Sequence, residues 1–474
     1  MHTKHFNFLL FSIISLACCA RLLASEKPNI ILIVSDDAGY ADFGFQGSSE
    51  IKTPHIDRLA AGGVTFTQAY VSASVCCPSR MGIMTGRYQQ RFGAECNVPK
   101  LPTPGYSEAD LGLDPQESTM GDLLAAAGYR TLMVGKWHLG IEDHHHPMNR
   151  GFDSFYGFLG GSRSYRALES TSPETRLYSD FEPLDEDDAV SYLTEDLTEA
   201  AIEFIERDDA APFFIYLSYN AVHTPMEAKA EDIEQSPAIG DESRRTYAAM
   251  TRSMDENIGR LVAHLEESGL RENTLFCFAN DNGGATNNAS ANSPLRGFKG
   301  SYWEGGIRIP MILNWEKRIR PGSQFPAPVS TLDILPTFLA AAGSDARGKP
   351  LDGKDLLPYL SGEAAGPPHE FLFWRLWHVA AVRHEDWKLI RVADHPLKSQ
   401  RELLSAPLLF NLAEDPGETS NIASQHPAVT EMLMKRLEGW ESALGTPRWY
   451  DGVDWPKWGR IQIENHKLEN TRYR

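Results

Sequence analysis

Cysteine is scarce: the 474-residue chain has six, and two of those, Cys18 and Cys19, fall in its first twenty residues. That is too few for a disulfide scaffold. Positive charge is also short, with 45 Lys and Arg against 64 Asp and Glu and a formal net charge of −19. A chain this acidic does not grip nucleic acid through bulk electrostatics, and it repels polyanions at long range. Any anion site must therefore be a local cluster of Lys, Arg and His held against the overall field. Beyond the first two dozen residues no apolar run is long enough for a membrane helix. Internal repeats and low-complexity tracts are absent as well. What remains is an ordinary hydrophobic fraction, 42%, which argues against disorder. The length admits a large core and two or three domains, although large α/β enzymes often exceed that rule.

Residues 1–25 read as a secretory leader. Lys4 and His5 precede an apolar run from Phe6 to Ala20, and small residues follow at Ala24 and Ser25. Neither Cys18 nor Cys19 follows the small-residue pattern of a lipid-anchor site. The expected location is secreted or periplasmic, with no transmembrane segment. Loss of Lys4 and Arg21 with that leader takes the net charge from −19 to about −21. Cys76, Cys77, Cys96 and Cys277 then remain, so at most one disulfide is expected if Cys76 is modified. Cys277 lies in an apolar run and reads as an inert core residue.

Segments 28–34, 131–134, 212–219 and 274–279 are short apolar runs, each consistent with a strand buried on both faces. Helical patterns lie between or beside them at 56–61, 119–127, 189–207 and 242–269, the last closed by Gly269. Strands alternating with helices predict an α/β fold with a large, mainly parallel sheet covered on both faces. A helix over 331–342 closes this body. From about residue 365 the pattern changes: 371–376, 380–392 and 408–412 read as strands and 429–443 as a helix. The expected organisation is a leader over 1–25, an α/β body over 26–364, and a 365–474 unit with a smaller antiparallel sheet and one packed helix.

Four buried strands end in polar residues: Asp36-Asp37, Lys136 with His138, His223, and Asp281-Asn282. Ligands of open α/β sheets sit outside the carboxyl ends of the strands, so this recurrence predicts one shared site. Asp36, Asp37, Asp281 and Asn282 offer only oxygen, which suits a hard cation, Ca²⁺ or Mg²⁺, and not Zn²⁺. Each pair taken alone also fits a turn or a helix cap.

The most specific stretch is Cys76-Cys77-Pro78-Ser79-Arg80, followed by Thr85-Gly86-Arg87. It resembles the Cys-x-Pro-Ser-Arg…Thr-Gly-Arg signature of type I, formylglycine-dependent sulfatases, arylsulfatase-like enzymes on the alkaline phosphatase superfamily fold. Gly135-Lys136-Trp137-His138-Leu139-Gly140 resembles that family's second signature. Lys299, ahead of Glu304-Gly305-Gly306-Ile307-Arg308, matches its sulfate-binding lysine, and His223-Thr224-Pro225 its histidine beside the leaving oxygen. Cys77, at the variable position, is the one oddity. The resemblance covers roughly residues 27–420.

It implies that a maturation enzyme oxidises Cys76 to formylglycine, whose hydrate attacks sulfate esters. Arg80 and Lys136 would stabilise that hydrate. His223, with Lys299, would protonate the leaving alcohol, and His138 would serve as base. One Ca²⁺, with Mg²⁺ as the alternative, would be held by Asp36, Asp37, Asp281, Asn282 and the modified residue 76. A sulfated carbohydrate is the expected substrate.

Two other readings stay open. A phosphate mono- or diesterase of the same superfold would carry Ser or Thr as nucleophile and a His-rich two-metal site, which this chain lacks. A non-catalytic glycan-binding protein would keep Cys76 as a thiol. Of the remaining features, His144-His145-His146 reads as a solvated loop. Arg150, Arg163, Tyr165 and Arg166 are expected to border the substrate cleft. Trp374, Arg375, Trp377 and His378 fit either the cleft or the core.

Overall fold

The computed structural model describes residues 27–99, 102, 105–185, 190–207, 211–344, 348–393, 402–449, 460–461 and 463–468. The leader and its two cysteines lie outside the described residues.

The run Asn29–Ser35 is the axis of the molecule. Its alternate side chains enter two different cores: Ile30, Leu32 and Val34 one, Ile31 and Ile33 the other. That is how an unbroken apolar strand behaves when both sheet faces are covered. It pairs in parallel with Thr274–Asn280 on one side and Phe213–Ser218 on the other. Arg130–Lys136 and Ser154–Phe158 continue the sheet in parallel beyond Phe213–Ser218. Met311–Asn314 adds antiparallel beside Thr274–Asn280, and shorter strands extend both edges to ten.

Helices Pro54–Ala61, Leu193–Glu206 and Glu242–Glu267 cover one face, through residues such as Ile56, Leu197 and Ile258. Cys76–Thr85, Met120–Ala126 and Ile334–Ala341 cover the other. The expected mainly parallel α/β body is therefore what forms. Among the described residues no helix is long and apolar enough to cross a membrane.

The smaller sheet is antiparallel, in the order Leu372–Leu376, Val379–His384, Trp387–Val392, Leu408–Asn411. Leu433 and Leu437 of helix Pro427–Glu441 pack on one face of it, against Ala380, Val382, Leu389 and Leu409. The opposite face, with Trp374, Ala381, Ile390 and Phe410, belongs to the core of the large body.

Segment 380–392, read as one strand, is two. The chain reverses at Glu385-Asp386, where Glu385 takes φ 50°, and the charged run Arg383–Asp386 marks that turn. Helix 189–207 starts later, at Leu193. Trp374, Arg375 and Trp377 are core residues: the Trp374 indole donates to the Val71 carbonyl at 2.7 Å, and Arg375 Nε donates to Glu95 at 3.0 Å. His378 is buried too, with Nδ1 2.9 Å from the Ala393 carbonyl.

The triple histidine is not a solvated loop. His145 and His146 are buried, and the His145 ring packs so closely on Gly112 and Gly140 that a Cβ at either would come within 2.5 Å of it. Arg150 is spent on the carbonyls of Leu113, Asp114 and Glu117, which removes it from the expected cleft. Arg163 is buried as well, donating to the Thr175 carbonyl at 2.8 Å. All four described cysteines are buried, and Cys277 is in the strand core as expected.

Candidate functional site

The carboxyl edge of the parallel strands gathers every residue that the sequence singled out as catalytic or metal-ligating. Asp36 and Asp37 follow Ser35, Lys136 closes its own strand, and Asp281 and Asn282 follow Asn280. The strand ends are stitched together beyond their last ladder bonds. Asp36 N–H donates to the Ala221 carbonyl at 2.9 Å, Val222 N–H to the Asp36 carbonyl at 2.8 Å, and Asp281 N–H to the Ser35 carbonyl at 3.1 Å. Asp37 and His138 both hold left-handed backbone, φ 59° and 57°. Such a conformation costs a non-glycine residue on the order of 1 kcal/mol and persists where the surroundings over-determine it.

Cys76 is the first residue of helix Cys76–Thr85, entered from Val75 in extended conformation and left through Gly86 at φ 63°. Pro78 lies in the first turn, where a helix has no use for the missing N–H. The N-terminus of the helix, with its partial positive charge, thus faces the acidic strand ends. Cys76 Sγ stands 3.8 Å from Asp36 Oδ1. Burial pushes its thiol up to about 12, although Lys136 and Lys299 pull it down. An unmodified Cys76 is therefore a neutral thiol near pH 7 and a poor nucleophile.

Three cations meet three carboxylates around it. Lys136 Nζ lies 2.5 Å from Asp36 Oδ2, and Lys299 Nζ straddles Asp37 at 2.7 and 2.8 Å. The Arg80 guanidinium, fully buried, donates through Nε to Asp281 Oδ2 at 2.9 Å and through Nη1 to Ser218 Oγ and, at 3.3 Å, to the Lys136 carbonyl. Burial and the neighbouring Asp281 raise the Asp36 carboxyl above its usual range, against the pull of Lys136, His223 and Arg80. Asp281 goes the other way, to about 2: burial opposes its charge, but Arg80, Lys136 and Lys299 outweigh it. Lys299 is likewise held well above the ordinary lysine value, because Asp37 and its neighbours overcome burial.

The two histidines differ. His138 sits against Gly161, where a Cβ would come within 2.7 Å of its ring, and its Nδ1 is buried with no hydrogen-bond partner. Burial, then the charges of Lys136, Arg80 and Lys299, hold its imidazole well below the usual value, so it is neutral near pH 7. His223, more open, has Nδ1 2.7 Å from the Thr224 carbonyl and Nε2 3.5 Å from Asp37 Oδ2. Ser218 and Tyr216, whose hydroxyls both meet Arg80, escaped the sequence reading. Ser218 could have been found by the signal that found the others, a polar residue closing a buried strand.

A divalent cation fits here on structural grounds. Ligand atoms of Asp36, Asp37, Cys76 and His223 lie within 4.8 Å of one another. Asn282 donates through Nδ2 to Asp37 Oδ1 at 2.7 Å, while its Oδ1 is buried without a partner. The cations are already neutralised by the carboxylates, so an incoming anion needs further positive charge. Carboxylate and amide oxygens suit a hard cation.

Residues 28–344 match the sulfatase family model, and residues 299–443 match the model described as N-sulphoglucosamine sulphohydrolase, C-terminal. Steryl-sulfatase of Mus musculus is 30% identical, over 83% of this chain and 78% of its own length. N-acetylgalactosamine-6-sulfatase of Canis lupus familiaris is 31% identical, over 83% and 81%. The crystal structure of Ps i-CgsB in complex with k-i-k-neocarrahexaose superposes with a TM-score of 0.82 at 34% identity, covering 92% of this chain and 98% of that one. With the matched family model spanning most of the chain, and Cys76 gathered with Lys136, Lys299, Arg80 and the carboxylates at one sheet edge, the protein belongs to the sulfatase family, sulfuric ester hydrolases built on the alkaline-phosphatase-like fold.

Proposed function

We propose that this sulfatase removes sulfate from a sulfated carbohydrate, with Cys76 converted to formylglycine and one divalent cation, Ca²⁺, held by Asp36, Asp37, Asp281 and Asn282. The observation that carries the reading is the position of Cys76. It opens a buried helix beside Asp36, with Lys136, Arg80 and Lys299 on the surrounding carboxylates. Similarity to a structure that holds k-i-k-neocarrahexaose supports a carbohydrate substrate. The leader over 1–25 supports export to the periplasm or beyond.

Formylglycine supplies a hydrated aldehyde as oxygen nucleophile, and the cation supplies charge neutralisation at a sulfuryl oxygen. The remaining work falls to the chain's own groups. Lys299 and Lys136 hold the sulfuryl oxygens electrostatically in a site too buried for water to do so. Arg80, fixed by Asp281 and Ser218, keeps a permanent positive charge beneath residue 76. His223 delivers a proton from Nε2 to the departing alkoxide, since Nδ1 is engaged by Thr224. His138, kept neutral, is free to accept a proton as sulfate leaves.

The test is direct. Protein made in a host able to convert the cysteine gives a residue-76 peptide about 18 Da lighter than the thiol form, and it releases sulfate from k-i-k-neocarrahexaose. An untouched thiol in active protein would sink the formylglycine assignment. Release from simple aryl sulfates but from no sulfated sugar would sink the carbohydrate assignment.

Chelation gives a second prediction. Stripping divalent ions with EDTA lowers both sulfate release and Tm, and Ca²⁺ restores both. At a hundred times its Kd the ion adds about 2.7 kcal/mol. A Tm indifferent to EDTA and to added Ca²⁺ would argue against a resident cation.

A further inference from the structure

The loop carrying His223 is held by side chains that the chemistry above leaves unused. Tyr165 is fully buried, and its hydroxyl lies 2.8 Å from the Asn220 carbonyl and 3.0 Å from that of His223. Its ring stacks on Tyr192, with centroids 5.7 Å apart. Its backbone is anchored in turn, for Tyr165 N–H donates to Glu227 at 2.8 Å and Ser164 Oγ donates to the same oxygen at 2.7 Å. On the other side Asn288, also buried, donates through Nδ2 to the Asp37 carbonyl at 3.0 Å and to the Val222 carbonyl at 3.1 Å. One amide thus ties the residue before His223 to the residue gripped by Lys299. The backbone pair between Asp36 and Ala221–Val222 completes the clamp.

Neither side chain reaches a reacting atom, so each can act only through what it holds. His223 is the group they share. With Nδ1 committed to Thr224, Nε2 is the atom that exchanges a proton, and it stands 3.5 Å from Asp37 Oδ2. Freeing the loop would move Nε2 relative to Asp37 and Lys299. The carboxylates themselves would stay, since Asp36 and Asp281 are fixed by strand-end hydrogen bonds and by Arg80 and Lys136.

We propose that Tyr165 and Asn288 are positioning residues that hold His223 Nε2 against the Asp37–Lys299 pair, and that what they govern is proton delivery to a poor leaving group. This rests on the reading of His223 as the acid. A sugar alkoxide is strongly basic and needs that proton as it departs, whereas the oxide of an acidic phenol does not. Tyr165 and Asn288 therefore set how far the enzyme can work on alkyl sulfates rather than activated aryl sulfates.

The experiment is kcat/KM across aryl sulfates of graded leaving-group basicity, together with the sulfated oligosaccharide, for the full mature enzyme. Tyr165→Phe removes a single hydroxyl. It is expected to cost roughly tenfold on the oligosaccharide and the most basic phenols, and at most about threefold on the most acidic phenols. Asn288→Ala gives the same steepening with a larger loss, roughly a hundredfold on the sugar ester. Added to His223→Ala, either change costs the sugar ester nothing further, because the proton donor is already gone. Equal losses on every substrate, or none, would overturn the proposal. If Asn288→Ala does not fold, Tyr165→Phe decides alone. A His223→Ala series whose dependence on leaving group matches the wild type overturns the acid reading itself, and the proposal with it.

Discussion

Cys76→Ala loses sulfate release by roughly 10⁵–10⁶-fold, the scale of deleting a covalent nucleophile, while the protein still folds. The side chain lost is small and opens a helix, where alanine is the best helix former, so its removal costs at most about 1–2 kcal/mol. Cys77→Ala is the matched control. Its thiol packs in the large core, and burial pushes it, like that of Cys76, up to about 12. The helix periodicity nevertheless turns it away from Asp36. It should cost about 1–2 kcal/mol of stability and leave kcat/KM within about threefold. Sulfate release, a thermal melt and the mass of the residue-76 peptide check all three statements. Activity that survived Cys76→Ala but vanished in Cys77→Ala would move the nucleophile by one residue and break the family register.

That site was legible because of where polar residues stand. Asp36-Asp37, Lys136 and Asp281-Asn282 each interrupt an apolar run at its carboxyl end, and a parallel sheet brings such ends together whatever the crossovers do. The helix bearing Cys76 left no such trace. All ten of its residues are buried, so it has no polar stripe to reveal a 3.6-residue period. Met311–Asn314 was missed for a related reason, since a four-residue strand buried throughout carries no alternation to count. Tyr165 was expected at the substrate cleft, but its hold on the His223 loop, like that of Asn288, left no trace in sequence because their partners are backbone carbonyls more than fifty residues away. Aromatic and basic residues left the choice open. Trp374, Arg375 and Trp377 fit a sugar-binding face or the core equally well in sequence, because a buried arginine paired with a glutamate in the seam between two sheets produces the same composition.

That seam gives the largest expected effect on stability. Lys388→Met should destabilise the fold by about 3–5 kcal/mol, because it breaks a buried charge network from one side. Lys388 Nζ, fully buried in the smaller sheet, lies 2.9 Å from Glu304 Oε1 and 2.8 Å from Glu418 Oε1. Glu304 also accepts from the Tyr70 hydroxyl at 2.6 Å, and Glu418 accepts from the Glu304 N–H at 2.6 Å. Burial opposes both carboxylates, but Lys388, Arg308 and Arg383 pull Glu304 down to about 2. Burial and the Glu304 charge raise Glu418 to about 7, against the pull of Lys388 and of the Glu304 N–H. At roughly 2.1 cal/mol/K per residue, the loss of Lys388 lowers Tm by roughly 3–5 °C.

The raised Glu418 makes the seam pH-dependent. A carboxyl whose folded pKa exceeds its unfolded one binds its proton better when folded, so its contribution is complete below about 4.5 and lost as pH rises through about 7. Glu418→Gln cannot titrate. The wild-type advantage in Tm over this variant should therefore be greatest at pH 5 and shrink by pH 8. Melts of both proteins at the two values decide it: a difference that stays constant, or widens as pH rises, would mean that Glu418 is ionised in the fold throughout.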